Sequence, residues 1–420
     1  MILLKNGTFI HWQTLEFLQK DILIKEGKNG SIYLDPTPEE SIEARVIDCS
    51  GNFITKSFVC GHHHVYSALA RGMQAPRKNP ENFNEILQYV WWTLDKALDL
   101  DMIRFSALAT AIACAKNGVT YAIDHHASPY AVQHSLDAIA KAFDEVGVGH
   151  LLCYEVSDRD GIDIAHQGLA ETESYLKKYQ GLVGLHASFT VGDETLDKAV
   201  KLAKQTDSGI HVHVAEATSD QDHCLATHGK RIIERFAEAG VLQFSKTILG
   251  HCLHLSDHER GLVAGSQAWV VQNMESNLNN SVGFFNSRGL GRRIMLGTDG
   301  MHSDMLRSAK SAFFAGHNFD AIDYSETYRR FRNAHNYLED NKFYGDGENN
   351  LVVLDYDSPT PLSSNNFLGH FVFGIESKHV KHVISNGKLI VEEGKIITVN
   401  ERKILEEAGK QALRLWEKMI

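Results

Sequence analysis

Three consecutive histidines, His62, His63 and His64, follow the apolar run 58–60. If this run is a strand, successive side chains alternate between its faces, so His62 and His64 project together while His63 points the other way. Two imidazoles on one face at the end of a strand are suited to binding a metal ion. The triplet alone leaves a second interpretation open, in which the histidines lie in a surface loop.

Polar side chains end other apolar runs in the same way. His186, His213 and His251 end three further runs predicted as strands, and Asp299 follows a fourth. Neutral imidazoles with a carboxylate and one open position form a catalytic zinc or iron site, whereas structural zinc sites are closed and rich in cysteine. We assign His213 to the metal because it is nearer the strand end than His211, which we expect to be a buried, hydrogen-bonded core residue.

Glu216 lies three residues beyond His213, in the loop expected just above the metal. Its carboxylate can there move a proton between a metal-activated water and the leaving group of a substrate; the alternative is a solvated surface charge. His125, at the end of another apolar run, and His302, just past Asp299, are expected to contact the substrate. Local hydrogen bonding within the loop is the alternative for His125.

Composition and charge limit the class of protein. The chain has 420 residues, of which 43% are hydrophobic and 23% charged, as in an ordinary globular protein. Its formal net charge of −11 gives no electrostatic basis for binding nucleic acid or an anionic membrane, so a small-molecule substrate is favoured. Six cysteines without CxxC spacing, together with no signal peptide and no membrane-spanning run, predict a cytoplasmic protein.

An alternation of strand-like and helix-like segments begins near residue 58. It is typical of βαβ units and a parallel sheet, and eight such units predict an α/β protein with a TIM (β/α)8 barrel over residues 57–350. The predicted strands are 58–61, 119–124, 150–154, 182–186, 210–214, 247–251, 269–272 and 294–297.

Both ends of the chain are rich in short strand-like runs and turns. Residues 1–56 and 351–400 are therefore predicted to form one small β domain together, with C-terminal strands at 351–354, 371–373, 380–385 and 389–391. Residues 401–420 are predicted to form an amphipathic helix, and the adjacent Trp91 and Trp92 are expected to pack in a core or interface.

Several motifs, taken in order, resemble the amidohydrolase superfamily: GHHHVYSALARG, IDHHASP, HASFTV, HVAE, LGHC, ESNLNNSVG, LGTDGMHSDM and DYDSPTPL. The similarity is to its deaminase and chlorohydrolase branch, which includes cytosine deaminases, and within that branch to the aminohydrolases of the SsnA group. The resemblance implies a distorted TIM barrel with a β-sandwich built from both chain ends. It also implies one divalent metal, zinc in preference to iron, held by His62, His64, His213 and Asp299.

The same resemblance implies roles for the remaining residues. His251 would orient the attacking water, Glu216 would shuttle the proton, His186 would contact the substrate, and Asp299 would act both as ligand and as base. The branches with two metals bridge them through a lysine on the fourth strand, and GLVGLH has none. Many relatives are homo-oligomers, and the resemblance extends that expectation to this chain.

The sequence departs from the family pattern at four places. Lys56-Ser57 stands where Pro-Gly is usual, Gln272 replaces a histidine, and Arg307 stands where a glutamate is common. Residues 329–350 lack the usual helix rich in alanine and glycine. These changes leave the expected metal ligands intact and bear on the identity of the substrate.

The leading functional hypothesis is hydrolytic deamination of an N-heterocyclic small molecule of the purine, pyrimidine, pterin or triazine type. Metal-activated water attacks the carbon, and Glu216 protonates the ring nitrogen and then the amine, which is a poor leaving group until protonated. Opening of a cyclic amide and displacement of chloride are the chemical alternatives. A catalytically silent protein used for binding or assembly is the alternative of a different class.

Overall fold

Short strands build the N-terminal segment. In the computed structural model, which describes residues 1–419, this segment contains seven strands and one turn of helix. They are β1 (Ile2–Lys5), β2 (Thr8–Ile10), β3 (Phe17–Gln19), β4 (Ile22–Ile24), β5 (Ile32–Leu34), α1 (Pro38–Ser41), β6 (Arg45–Asp48) and β7 (Phe53–Lys56).

Eight parallel strands follow and confirm the predicted barrel. Each pairs with the next in chain order, as in a TIM barrel. They are β8 (Phe58–His63), β9 (Val119–His126), β10 (Gly149–Val156), β11 (Val183–Ala187), β12 (Ile210–Val214), β13 (Ile248–His251), β14 (Trp269–Gln272) and β15 (Ile294–Leu296).

Helices occupy every connection between these strands, which is why the strands can run parallel. The connection after β8 holds α2 (Phe83–Ile86), a π-helical stretch (Leu87–Trp91), α3 (Trp92–Ala97) and α4 (Leu100–Lys116). The later helices are α5 (Ser135–Val146), α6 (Ile162–Leu176), α7 (Asp193–Gln205), α8 (Thr218–His228), α9 (Ile232–Glu238), α10 (Asp257–Gly265), α11 (Met274–Asn279), α12 (Met305–Gly316) and α13 (Tyr324–Asp340).

The C-terminal segment returns to strands. It contains β16 (Leu351–Leu354), α14 (Phe367–Phe373), β17 (Val380–Ser385), β18 (Lys388–Glu392), β19 (Lys395–Ile396) and α15 (Glu401–Lys418). The strand predicted at 371–373 is wrong, because these residues end helix α14, where Phe367 and Phe371 lie one turn apart and both contact the ring of Tyr328. The helix predicted at 401–420 is present as α15, and its last predicted residue, Ile420, lies outside the described residues.

A β-sandwich forms from both ends of the chain. One sheet has the strand order β5-β4-β1-β6 and the other β19-β18-β17-β16-β7-β2-β3. In the second sheet, β7 pairs with β2 on one side and with β16 on the other, so N- and C-terminal strands share one ladder. Buried aliphatic side chains from both sheets, including Leu4, Ile24, Ile54 and Val353, form one apolar cluster. The division into domains at residues 56, 350 and 400 stays a prediction.

The barrel closes through a short seam between β8 and β15. His63 and Asp299 form a single parallel bridge there, and the amides of Thr298 and Asp299 both donate to the carbonyl of His62. The two strands approach closely at Gly61, where a Cβ atom would lie 2.6 Å from the carbonyl oxygen of Leu296. Only glycine fits that contact.

Lys56, one of the departures from the family pattern, is buried in an ion pair. Its ammonium lies 2.8 Å from Oδ1 of Asp346, and both side chains are 6% exposed. His335 donates from Nδ1 to the other carboxylate oxygen, and Arg332 donates to the carbonyls of Lys56 and Ser57. The changed turn before β8 and the changed segment after α13 therefore stabilise each other.

The other departures are also paired. The fully buried guanidinium of Arg330 donates to Oε1 of Gln272 at 3.0 Å and forms an ion pair with Asp320. Arg307 donates from Nε to Glu275 at 2.8 Å. Each unusual residue thus has a polar partner, so none leaves a buried charge uncompensated. No helix within residues 1–419 is long and apolar enough to cross a lipid bilayer.

Candidate active site

The carboxyl ends of the barrel strands bring three imidazole nitrogens and one carboxylate together. Nε2 of His213 lies 3.2 Å from Nε2 of His64 and 3.3 Å from Nε2 of His62. Oδ1 of Asp299 lies 3.0 Å from Nε2 of His64 and 3.6 Å from Nε2 of His62. A tetrahedral zinc ion with ligands at about 2.1 Å has ligand–ligand edges of roughly 3.4 Å. These four separations are close to those expected around one divalent ion. A ligand atom of His251 also lies within 4.8 Å of those of His62, His213 and Asp299.

Hydrogen bonds on the far side of the rings leave the converging nitrogens free to ligate. Nδ1 of His64 donates to the carbonyl of His125 at 2.6 Å, and Nδ1 of His213 donates to the carbonyl of His186 at 3.0 Å. A neutral imidazole that donates through Nδ1 has its lone pair on Nε2. Partners of this kind fix the tautomer and the ring orientation of metal-ligating histidines.

His62 is held by another imidazole. Its Nδ1 lies 2.9 Å from Nε2 of His211, whose own Nδ1 lies 3.7 Å from the sulfur of Cys153. The thiol in turn donates to the carbonyl of Asp124. His211 therefore takes the buried, hydrogen-bonded position predicted for it, directly behind the predicted ligand His62.

Burial and the neighbouring carboxylates set the charges of the ligands. Burial lowers the pKa of His62 to about 3, and that of His213 well below its usual value, so both rings are neutral. Burial opposes the charged form of His64 as well, but its hydrogen bond to Asp299 and the charges of Asp299 and Glu155 raise its pKa to about 9. Binding of a divalent ion therefore displaces a proton from His64.

His251, Glu216 and Asp299 converge beside the ligand set. Nδ1 of His251 bonds to Oδ1 of Asn277 at 2.7 Å, and its Nε2 is buried with no hydrogen-bond partner among residues 1–419. That nitrogen lies 3.5 Å from Oε2 of Glu216 and 3.7 Å from Oδ2 of Asp299. An unpartnered buried acceptor between two carboxylates is suited to a water molecule.

Glu216 is positioned by its loop. Asn280 donates from Nδ2 to Oε1 of Glu216 at 3.3 Å, and the preceding amide, of Ala215, donates to Oδ2 of Asp220 at 2.9 Å. Burial raises the pKa of Glu216, and the neighbouring imidazole of His251 only partly opposes the increase. A carboxylate with a raised pKa holds a proton more readily than an ordinary carboxylate, which suits it to proton transfer.

Three strand ends around the site adopt left-handed backbone at residues other than glycine. The φ angles are 47° at Ala215, 66° at His251 and 52° at Asp299. Such conformations are uncommon outside glycine and concentrate at functional sites. Here they turn the chain directly after the strands, so that Glu216, His251 and Asp299 face one another.

A small cavity opens from the metal ligands toward the connection after β8. Its volume is about 60 Å³. The residues on the barrel side include His64, Glu155, Arg159, His186, His213, Glu216 and Asp299. The α2–α3 segment, which covers the cavity, contributes Phe83, Leu87, Trp91, Trp92 and Asp95.

Of the three histidines predicted to contact the substrate, one lines the cavity and two do not. His186 lines the cavity, as the sequence predicts, and its Nδ1 bonds to Oγ1 of Thr190. His125 does not line it, because the ring lies beneath the ligands with Nδ1 on Glu155 and Nε2 on the carbonyl of His211. His302 does not line it either, because Nε2 is paired with Glu275. The geometry therefore does not support substrate contacts for His125 and His302.

Some residues of the cavity were missed in the sequence. Glu155 lies near the end of β10, where the strand-end argument applied to the histidines would have found it. Trp91 and Trp92, expected to pack elsewhere, cover the cavity. Arg159 lies in a loop and reaches the site through an ion pair with Asp95, 64 residues away, which no local pattern indicates.

Comparison with known proteins agrees with this geometry. The model of the amidohydrolase family matches residues 53–336, a range that contains all four predicted ligands, and the chain belongs to this family. It is 29% identical over 349 residues to a 5′-deoxyadenosine deaminase of Methanopyrus kandleri, covering 77% of this chain and 78% of the relative. It is 24% identical to a 5-methylthioadenosine/S-adenosylhomocysteine deaminase of Thermoanaerobacter pseudethanolicus over 99% of both chains.

Solved structures share the fold. An adenosine deaminase from Xanthomonas campestris with bound zinc superposes with a TM-score of 0.84 at 20% identity, covering 99% of this chain and 98% of that one. An atrazine chlorohydrolase from Arthrobacter aurescens complexed with zinc gives 0.82 at 17% identity over 98% and 100%. With the buried ligand cluster, the family and the relatives identify the chain as an amidohydrolase-family enzyme of the aminohydrolase class. The finer resemblance to the SsnA group stays a prediction.

Proposed function

We propose that this enzyme uses one zinc ion to deaminate an adenine-type nucleoside hydrolytically, releasing ammonia. The observation that carries the proposal is the convergence of Glu216, His251 and Asp299 beside three imidazole nitrogens that face one another. The substrate class is supported by the two relatives, which are named as deaminases of 5′-deoxyadenosine and of 5-methylthioadenosine or S-adenosylhomocysteine. Zinc is supported by the two solved structures that contain it.

Metal binding, orientation of the water and proton transfer are assigned to different residues of the site. The three imidazoles and Asp299 would hold a divalent ion, which when bound would act as a Lewis acid and lower the pKa of water toward neutrality. His251 accepts a hydrogen bond from the attacking water through its unpartnered Nε2. Glu216 accepts one proton from the water and donates it to the ring nitrogen beside the reacting carbon.

The second proton completes the reaction. Asp299 accepts it through Oδ2, the oxygen beside His251, and passes it to the amino group, which leaves as ammonia. A C–O bond forms, the C–N bond breaks, and the ring gains a carbonyl and an N–H group. Both carboxylates return to their ionised form, so the residues are ready for another turnover.

We expect the α2–α3 segment to move outward when a substrate enters. The cavity of about 60 Å³ is smaller than the roughly 150 Å³ that holds a benzene molecule, and a nucleoside is larger than benzene. The covering side chains, including Phe83 and Trp91, belong to a connection outside the barrel ladder. Such connections move more readily than barrel strands, and their closure excludes water from the reaction.

The experiment that tests the proposal combines metal analysis with ammonia release. Purified protein is expected to contain about one zinc per chain and to release ammonia from adenosine, 5′-deoxyadenosine or 5′-methylthioadenosine. The panel also includes guanine, cytosine, a pterin, an aminotriazine, a chlorotriazine and dihydrouracil. Chloride release without ammonia, or opening of dihydrouracil, would favour the chemical alternatives, and one zinc without any turnover would favour a binding protein.

A further inference from the structure

The exposed phenylalanines of the chain are gathered in one region of its surface. The chain has 20 phenylalanines, and four of those within residues 1–419 are exposed. Phe314 lies in helix α12, Phe319 follows the helix by three residues, Phe284 stacks on Phe319, and Phe373 packs beside Phe314. Tyr324 is exposed next to Phe373. We call these five residues the aromatic patch.

The rings of the aromatic patch hold one another in place. Phe284 and Phe319 have centroids 3.6 Å apart and planes at 12°. The ring of Phe373 lies 5.9 Å from that of Phe314 and 6.0 Å from that of Tyr324. Side chains that are already held by such contacts lose little rotamer freedom when a partner covers them, which lowers the free-energy cost of association.

The aromatic patch is large for the surface of a monomer. Its side chains are between 41% and 61% exposed. At roughly 200 Å² for a whole aromatic side chain, the exposed parts come to about 500 Å². Patches of this size on a monomer are often functional. A stable interface buries about 800 Å² on each partner and has an apolar core rich in aromatic residues, so the patch is large enough to form such a core.

The charges around the aromatic patch favour a second copy of this chain as its occupant. A two-fold interface places the same surface of each copy opposite itself, so it must not oppose like charges. The patch itself is uncharged. Beyond Phe373, Glu376 and Lys378 pair at 2.6 Å, and Lys310 lies one turn before Phe314 on α12. Both signs of charge are therefore present at the rim. A nucleic acid or an anionic membrane would instead meet a chain of net charge −11.

We propose that the aromatic patch is the interface between two copies of this chain, related by a two-fold axis. The inference is independent of the reaction proposed above, because none of the five residues lines the catalytic cavity. It also implies a dependence on salt. Each copy carries a net charge of −11, so electrostatic repulsion opposes association, and salt screens that repulsion. The dimer is therefore expected to become tighter as salt increases.

Sedimentation velocity of the zinc-loaded protein tests the interface. At about 50 µM the wild-type protein is expected to sediment with twice the mass of the chain, and dilution should release the monomer by mass action. The double variant Phe314→Lys, Phe373→Lys places two ammonium groups on rings that are 52% and 61% exposed. Its dimer dissociation constant is expected to increase by about 30-fold or more, as for residues that dominate an interface.

A matched control separates the aromatic patch from a general effect of charge. Leu405→Lys with Leu413→Lys makes the same change of charge at two apolar side chains of α15 that are 46% and 58% exposed. This variant is expected to remain dimeric. Equal zinc content and equal midpoints of thermal unfolding in the three proteins show that the fold is retained.

A chemical probe locates the interface without disrupting the fold. Phe373→Cys supplies an accessible thiol, because the six natural cysteines are all buried. Its rate of reaction with a thiol reagent is expected to fall several-fold as the protein concentration rises and the dimer forms. The thiol of Leu413→Cys on α15 should react at the same rate throughout.

Four outcomes would overturn the proposal. A wild-type protein that stays monomeric at about 50 µM has no such interface. A dimer that forms equally well in the two double variants, or that leaves the thiol of Phe373→Cys equally reactive, uses a different surface. A dimer that becomes weaker as salt increases is held by ion pairs and not by the aromatic patch.

Discussion

Nε2 of His251 lies 3.5 Å from Oε2 of Glu216, although the two residues follow different barrel strands. The imidazole is fixed behind by Asn277, and the carboxylate is fixed by Asn280. A water held between an acceptor nitrogen and a carboxylate of raised pKa has one group to orient it and another to take its proton. This relationship leads to the first prediction.

Glu216→Gln is expected to lower kcat by about 10²- to 10⁴-fold, the usual contribution of a positioned proton-transfer group. Zinc content should remain near one per chain, because Glu216 is not among the converging ligands. Elemental analysis and ammonia release from the same preparation measure both quantities. Full activity in this variant would refute the proton shuttle.

His64→Ala and His186→Ala are expected to separate metal binding from substrate binding. The first removes a nitrogen that faces Nε2 of His213 at 3.2 Å, so both zinc content and turnover should be lost. The second removes a ring that lines the cavity while the backbone carbonyl that orients His213 remains, so zinc should be retained and KM should rise. Equal zinc content in the two variants would contradict the ligand assignment.

The pH dependence of kcat/KM is expected to show an acid limb above pH 4.5. Burial raises the pKa of Glu216 above its usual value of 4.5, and Glu216 must be ionised to accept a proton from water. As the pH falls through the raised pKa, the protonated fraction increases and activity declines. Initial rates at saturating zinc across pH 4 to 9 provide the measurement, and a limb at or below pH 4.5 would exclude Glu216 as the group that titrates.

Lys56→Met is expected to lower the free energy of unfolding by about 3–5 kcal/mol, because it leaves the buried Asp346 carboxylate without its ion-pair partner. Adding Asp346→Asn should recover part of this loss. Arg402→Ala is a suitable control, since its side chain is 91% exposed and its ion pair with Glu406 contributes little. Chemical denaturation of the four proteins checks the order, and a loss from Lys56→Met no larger than that from Arg402→Ala would contradict it.

The barrel was predictable because its strands are apolar runs of characteristic length separated by helical segments. The strand-end argument found His62, His64, His213, His251 and Asp299 for the same reason, since the carboxyl ends of parallel strands meet at one face. The strand-end argument predicts where along a strand a side chain lies, but not how deep in the barrel it lies relative to the cavity. It could not distinguish His125, which lies beneath the metal ligands, from a residue that faces the cavity.

Contacts between distant segments were not predictable. The ion pair of Arg159 with Asp95 and that of Lys56 with Asp346 join residues far apart in sequence, and a single chain carries no signal for such pairs. Helix α14 was missed because its phenylalanines are favoured in strands, and packing against Tyr328 and Phe331 decides their conformation instead.

The seam of the barrel gives the metal site a mechanical role. Strands β8 and β15 meet through the bridge of His63 with Asp299, and the two residues beside that bridge, His62 and His64, are predicted ligands together with Asp299 itself. An ion bound there would link strand β8 to the turn after strand β15, and so would join the first and last strands of the barrel. Removing the ion is expected to weaken the contact between β8 and β15 as well as to stop catalysis. Amide hydrogens at His64, Thr298 and Asp299 should therefore exchange faster with solvent in the chelated protein than those on the opposite strands β11 and β12.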